Sequence, residues 1–221
     1  MATVGLLVAA LLLPGCLDPY RVHVDEGAVA RGGVAWVRSD LGGQSGGFLG
    51  SNTVETDYTF SPSSQPPYPG VLQLFGLRES SRRSTTELLA LARTAVDNAT
   101  AAQHIEVEGK GTSGTRTLRN GLSTQWFALE GTVAGNGGLF SASTRVRILG
   151  EAGYDGQSST HLIAVGIAQV ESTTCPPVNI AGACQIRSDM RTWTSLAGDT
   201  KGSVDGAVSQ NGLLDNVVTH D

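Results

Sequence analysis

The chain is predicted to adopt an α+β fold: an antiparallel β-sheet meander with an amphipathic helix at about 84–99 and a short C-terminal helix at about 189–198 packed on it. Three observations carry this. A capping-box sequence opens a stretch whose apolar residues recur at three- and four-residue spacing. From Gln103 onward the period changes to two, with Asn-Gly pairs between the runs. The 29 glycines among 221 residues favour turns and strands over long helices.

Residues Ala2 to Leu13 form an almost continuous apolar run. It is far shorter than the roughly 20 residues an α-helix needs to cross a bilayer, and so fits the apolar region of an export signal. Leu13-Pro14-Gly15-Cys16 follows, with only the terminal amine supplying positive charge ahead of the run. This tetrad resembles the lipobox of bacterial lipoproteins. The resemblance implies cleavage before Cys16, a diacylglycerol on its thiol, and attachment of the chain to a membrane through that lipid. The domain layout expected from it is a signal peptide at 1–15, a lipid anchor and short tether at 16–20, one α+β domain at 21–198 and a polar tail at 199–221.

Within the domain, Arg21 to Asp25, Gly33 to Arg38 and Thr53 to Phe60 have β composition. Between the last two lies a glycine-rich loop, Leu41 to Gly50. Ser61 to Gly70 holds four prolines and is expected to be an exposed connection, since proline is excluded from sheet interiors. Val71 to Phe75 reads as a buried strand. In Ser84-Thr-Thr-Glu87 the serine and glutamate side chains would each satisfy an orphaned backbone N–H. Leu88, Leu89, Leu91, Ala92, Ala95, Val96 and Ala99 then form one broad apolar stripe facing a sheet.

His104 to Glu108 alternates cleanly, and Asn120-Gly121 separates Thr115–Arg119 from Leu122–Val133. Asn136-Gly137 leads to Leu139–Leu149, and Thr160 to Val170 is a further apolar strand. Short turns between successive strands make a meander. Met190, Trp193, Leu196 and Ala197 share a face of the closing helix, which Gly198 ends. Both helices are expected to cover one face of the sheet.

The element order, the helix Ser84 to Asn98, the Asn120-Gly121 turn, the strands through Val170 and the late helix bearing Trp193 resemble the PsbP/Mog1-type α/β sandwich. That resemblance spans about residues 20–198. It implies a non-catalytic domain in adaptor, assembly or accessory roles.

With Cys16 assigned to lipid, Cys175 and Cys184 remain as a disulfide pair in an oxidising, extracytoplasmic compartment. Two thiolates fall short of the four ligands of structural zinc. The net charge is −5, and Arg82-Arg83 is the one basic doublet. Nucleic-acid binding, which needs a concentrated cationic surface, is therefore not expected.

Candidate chemistry is sparse. Gly43-Gln-Ser45-Gly-Gly47 matches the nucleophile-elbow pattern, but the elbow requires a helix after the serine and none is predicted there. A serine hydrolase using Ser45, with His104 or His161 as base, is the alternative this pattern leaves. His104, Glu106 and Glu108 would share a strand face and are weak metal candidates; His23 with Asp25 repeats the pattern. No cofactor is expected. Trp36, Trp126 and Trp193 are expected to anchor the core. The expected function is that of a lipid-attached extracytoplasmic lipoprotein of the cell membrane or envelope, binding an unknown protein or small molecule without catalysis, or serving as a structural envelope component. The loops 41–50 and 61–70 are where contacts are expected.

Overall fold

The computed structural model describes residues 22–25, 34–39, 43–44, 53–62, 66–79, 81–133, 144–174, 184–198 and 212–219. In chain order the elements are β1 (His23–Val24), β2 (Val37–Arg38), β3 (Gly43–Gln44), β4 (Thr53–Phe60), β5 (Gly70–Arg78), α1 (Thr85–Ala102), β6 (Ile105–Thr117), β7 (Ser123–Val133), β8 (Thr144–Asp155), β9 (Thr160–Thr174), β10 (Gln185–Ser188), α2 (Arg191–Ala197), a 3-10 turn (Leu214–Asn216) and β11 (Val217–Val218). The α+β class holds: one antiparallel sheet, not closed into a barrel, with two helices packed on it.

The principal sheet runs β2-β4-β5-β9-β8-β7-β6, with β3 paired to β4 and β10 continuing along β9 beyond β5. Strands β6 to β9 pair in succession as the expected meander, while the Asn136-Gly137 turn lies outside the described residues. Asn120 closes the meander's first hairpin, its side-chain oxygen accepting from Leu122 N–H at 2.9 Å. β5 runs parallel to β6 with three strands between them, so the link between them must cross a face of the sheet. That link is α1. Ser84 Oγ accepts from Glu87 N–H while the Glu87 carboxylate accepts from Ser84 N–H, as its capping box predicts.

β9 decides the layering. Ile163, Val165 and Ile167 pack under α1 with Leu88, Ala92 and Val96, whereas Leu162, Ala164 and Ala168 pack with Trp193 and Leu196 of α2. Successive residues of a strand face opposite ways, so the helices lie on opposite faces. The expectation that both cover one face is corrected, and the cause is visible in β9, apolar at both parities as a strand buried on two sides must be. α2 seats closely because residue 166 is glycine: a Cβ there would stand 2.4 Å from Leu196 Cδ2. All three tryptophans are buried, and Trp36 Nε1 donates to Ser195 Oγ at 2.7 Å.

Three further expectations change. Residues 212–219, assigned to a polar tail, are largely buried; Leu213, Leu214 and Val217 join the α2-side core, and β11 pairs with β1 as a small second sheet. In the proline-rich 61–70 connection, Tyr68 is buried, and its hydroxyl donates to the Arg187 carbonyl at 3.2 Å. The expectations of a Cys175–Cys184 disulfide and of a membrane anchor are corrected to what the described residues show. Cys184 is disulfide-bonded, but Cys175 lies outside the described residues, and no disulfide joins two described residues. Among the described residues no helix is long and apolar enough to cross a membrane.

Candidate functional site

Between the end of α2 and the β6 edge lies a groove of about 1200 Å³. Its floor and walls include Trp126, Trp193, Glu108, Glu130, Arg147 and Gly114. The register explains how they meet. Gly114 of β6, Trp126 of β7 and Glu151 of β8 stand directly opposite one another on the α2 face. Four register positions along β7, Glu108, Glu130 and Arg147 form a second cross-strand row. Sequence separations of 12 to 39 residues are thus collapsed within each row by hairpin pairing alone.

Gly114 shapes the floor. A Cβ there would stand 2.9 Å from the Trp126 ring, so the missing side chain lets the indole lie across β6. The indole is only 7 % exposed, and its Nε1 has no hydrogen-bond partner among the described residues. On the opposite wall the Arg147 guanidinium lies 5.8 Å over the Trp193 ring, within cation–π range. Glu130 takes Arg145 at 2.7 Å and Arg147 at 3.5 Å. Glu108, directly across from Glu130, has no cation partner among the described residues. The groove therefore offers a rigid aromatic floor, one arginine held by stacking and one uncompensated carboxylate.

Beyond Trp126 the sheet carries a buried ionic group. Arg116 Nε donates to Glu151 Oε1 at 2.8 Å, Nη2 reaches the other carboxylate oxygen, and Nη1 donates to Asp215 Oδ1 at 2.9 Å and to the Ala197 carbonyl at 2.5 Å. Thr124 Oγ1 also donates to Glu151, at 2.5 Å. The Arg116 and Glu151 side chains are 2 % and 0 % exposed. One residue from each of β6, β7 and β8 is thereby tied to the end of α2 and to the C-terminal segment. This is a structural clasp, because no solvent-facing atom remains to act on a substrate.

The other sequence candidates do not assemble. Ser45 lies outside the described residues, as does most of the 41–50 loop. His104 is exposed and leaves α1 at φ 53°, ahead of β6 instead of on it. The expected row of His104, Glu106 and Glu108 is therefore broken, and among the described residues no three His, Cys, Asp or Glu side chains come together as a metal set. His23 lies on β1, paired with Val218.

His161 is fully buried on β9, its ring 4.8 Å from that of Tyr154 and tilted by 44°, and its Nε2 accepts from Arg83 N–H at 3.0 Å. Burial pushes its pKa down, opposed by the Leu77 backbone and the Glu79 carboxylate. Its lone pair is committed to holding the entry to α1, so it is not a base for an external substrate. Beside it a small cavity of about 170 Å³ lies between Arg82, Tyr154 and the first turn of α1. Arg82 stacks 5.0 Å over Tyr154. The Arg83 fork on Glu79 holds that carboxyl below its usual range.

The groove was missed in the sequence because nothing marks Gly114 as the partner of Trp126. Comparison with protein-family models, with characterised proteins and with solved structures finds no match to this chain, so the lipobox and PsbP/Mog1 resemblances draw no support from them.

Proposed function

We propose that the chain is an extracytoplasmic lipoprotein, modified at Cys16, that acts without catalysis as a binding or accessory protein of the cell envelope through the groove beside β6. The observation that carries this is the groove itself: a concave surface with two tryptophans, a stacked arginine and a glutamate without a cation partner among the described residues. Such a surface combines an apolar floor with a few oriented polar groups, the usual make-up of a recognition site. The buried His161 and the clasped Arg116 supply no nucleophile–base pair near it. The accessory roles implied by the PsbP/Mog1 resemblance point the same way and belong to the same proposal.

Photo-crosslinking in cells tests it. A crosslinker at Thr112, on the groove wall, is expected to capture a discrete envelope component, and capture is expected to fail with Arg147→Glu. A crosslinker at Arg93, on the exposed side of α1, is expected to capture none. Equal capture at both positions, or none at Thr112, sinks the groove as the binding surface. Mass spectrometry of the mature N-terminus tests the lipid: an unmodified Cys16 removes that part of the proposal.

A further inference from the structure

β6 ends the principal sheet, and among the described residues only β7 pairs with it. Which of its backbone groups face outward follows from the hairpin. Leu118 N–H donates to the Leu122 carbonyl, so by the two-residue alternation of antiparallel pairs Arg116, Gly114 and Thr112 turn their backbone groups toward β7. Ser113, Thr115 and Thr117 turn theirs to the open edge. All three are exposed. The same outward row continues to Arg119, whose N–H is already taken by the Asp215 carbonyl at 2.9 Å. The described part of the C-terminal segment thus begins the pairing of this edge at Arg119 and does not extend it to Thr117.

From this geometry we infer that the β6 edge takes an extended polypeptide segment of a partner protein by strand addition, with its side chains entering the groove over Gly114. This rests on the groove being the binding surface and names the chemistry of what it binds. A row of outward amides and carbonyls, repeating every two residues or about 6.7 Å, is complementary to another extended backbone. The Trp126 indole lies across Gly114 and lines the groove, so the incoming residue beside Gly114 is apolar. Glu108 supplies charge complementarity for a basic residue toward the other end of the segment.

Edge strands are commonly protected by charges and bulges. β6 has such a device where the register shifts between Glu108 and Thr112, with Gly109 and Gly111 at φ 67° and 70°. It guards only that part. From Thr112 to Thr117 the pairing with β7 is regular, and among the described residues nothing pairs with the outer side.

The test is amide hydrogen exchange on the full chain with blocked peptides of alternating valine and threonine, a central phenylalanine, and a lysine at one end or the other. With peptide at about ten times its Kd, exchange at Ser113, Thr115 and Thr117 is expected to slow by about tenfold. Replacing the lysine with glutamate is expected to weaken binding, and Glu108→Lys to reverse that preference. Thr115→Pro removes one outward N–H that the fold does not use, a change edge strands tolerate. It is expected to abolish the protection while circular dichroism and Tm stay unchanged; if this variant fails to fold, Ser113→Pro serves in its place.

Absence of protection with every peptide overturns the inference. So does protection of the same amides in protein alone that rises with concentration alongside a dimer in sedimentation, which assigns the edge to a second copy. Loss of Thr112 crosslinking with Arg147→Glu but not with Thr115→Pro overturns strand addition and leaves the groove standing. Indifference of that crosslinking to both removes the groove as well.

Discussion

Arg116→Met is the most informative single perturbation of this fold. The guanidinium is the one cation described between two buried carboxylates, Glu151 and Asp215, and it also satisfies the last carbonyl of α2. Methionine keeps much of the volume and removes all four bonds. Both carboxylates then remain in the interior without that counterion, and Thr124 alone still donates to Glu151. Breaking a buried pair from one side costs about 3–5 kcal/mol, most of it the desolvation of the charge left behind.

At about 2–4 °C per kcal/mol for a domain of this size, the melting temperature should fall by about 6–20 °C. Urea unfolding near neutral pH, followed by tryptophan fluorescence and circular dichroism, measures it. The double variant Arg116→Met with Glu151→Leu should recover part of the loss, because it removes one stranded charge along with its partner. A single variant within about 1 kcal/mol of the parent would refute the reasoning, since changes of that size are ordinary for substitutions with no special mechanism.

Three other outcomes are expected. Leu196→Ala empties the seat over Gly166 and should cost about 2–5 kcal/mol in the same urea assay, with little effect on the α1 side of the sheet. Burial holds the His161 pKa below the ordinary histidine value of about 6.5, so below that pH the unfolded chain binds more protons than the native one. Its contribution to stability is complete above about pH 6.5 and is lost as pH falls from there through the folded value; urea midpoints between about pH 7.5 and about pH 5.5 should therefore decline, and less so in His161→Phe. Deleting residues 212–221 should unfold the domain or leave it fluctuating, because Leu213, Leu214 and Val217 belong to the core and Asp215 to the ionic clasp; unchanged amide dispersion in the truncated protein would contradict that.

What was legible in the chain was whatever is encoded over a few residues. The capping box of α1, its apolar stripe and the Asn120-Gly121 turn each state their structure locally, and each stands where it was expected. β9 was legible as a strand, yet its apolar residues at both parities also announced helices on two faces, a signal that the simpler two-layer arrangement obscured. The C-terminal Leu213-Leu214 and Val217-Val218 were likewise apolar signals diluted by the polar residues around them. The Arg116 clasp was not legible at all. Its carboxylates lie 35 and 99 residues from the arginine, and no spacing rule reaches that far.

Asp215 couples the clasp to the open edge. Its carboxylate binds Arg116, whose backbone faces β7, while its carbonyl takes the N–H of Arg119 on the outward row of the same hairpin. The side-chain clasp therefore fixes where the C-terminal segment sits along β6, and hence where the free row at Thr117, Thr115 and Ser113 begins. If that coupling holds, Arg116→Met does more than destabilise. Loosening Asp215 would free the Arg119 amide and lengthen the open edge by one position, so Arg119 should exchange faster in the variant than global unfolding explains. Exchange at Arg119 that tracks only global stability would mean that the segment is held by Leu213 and Leu214 alone, and that the ionic clasp has no part in defining the edge.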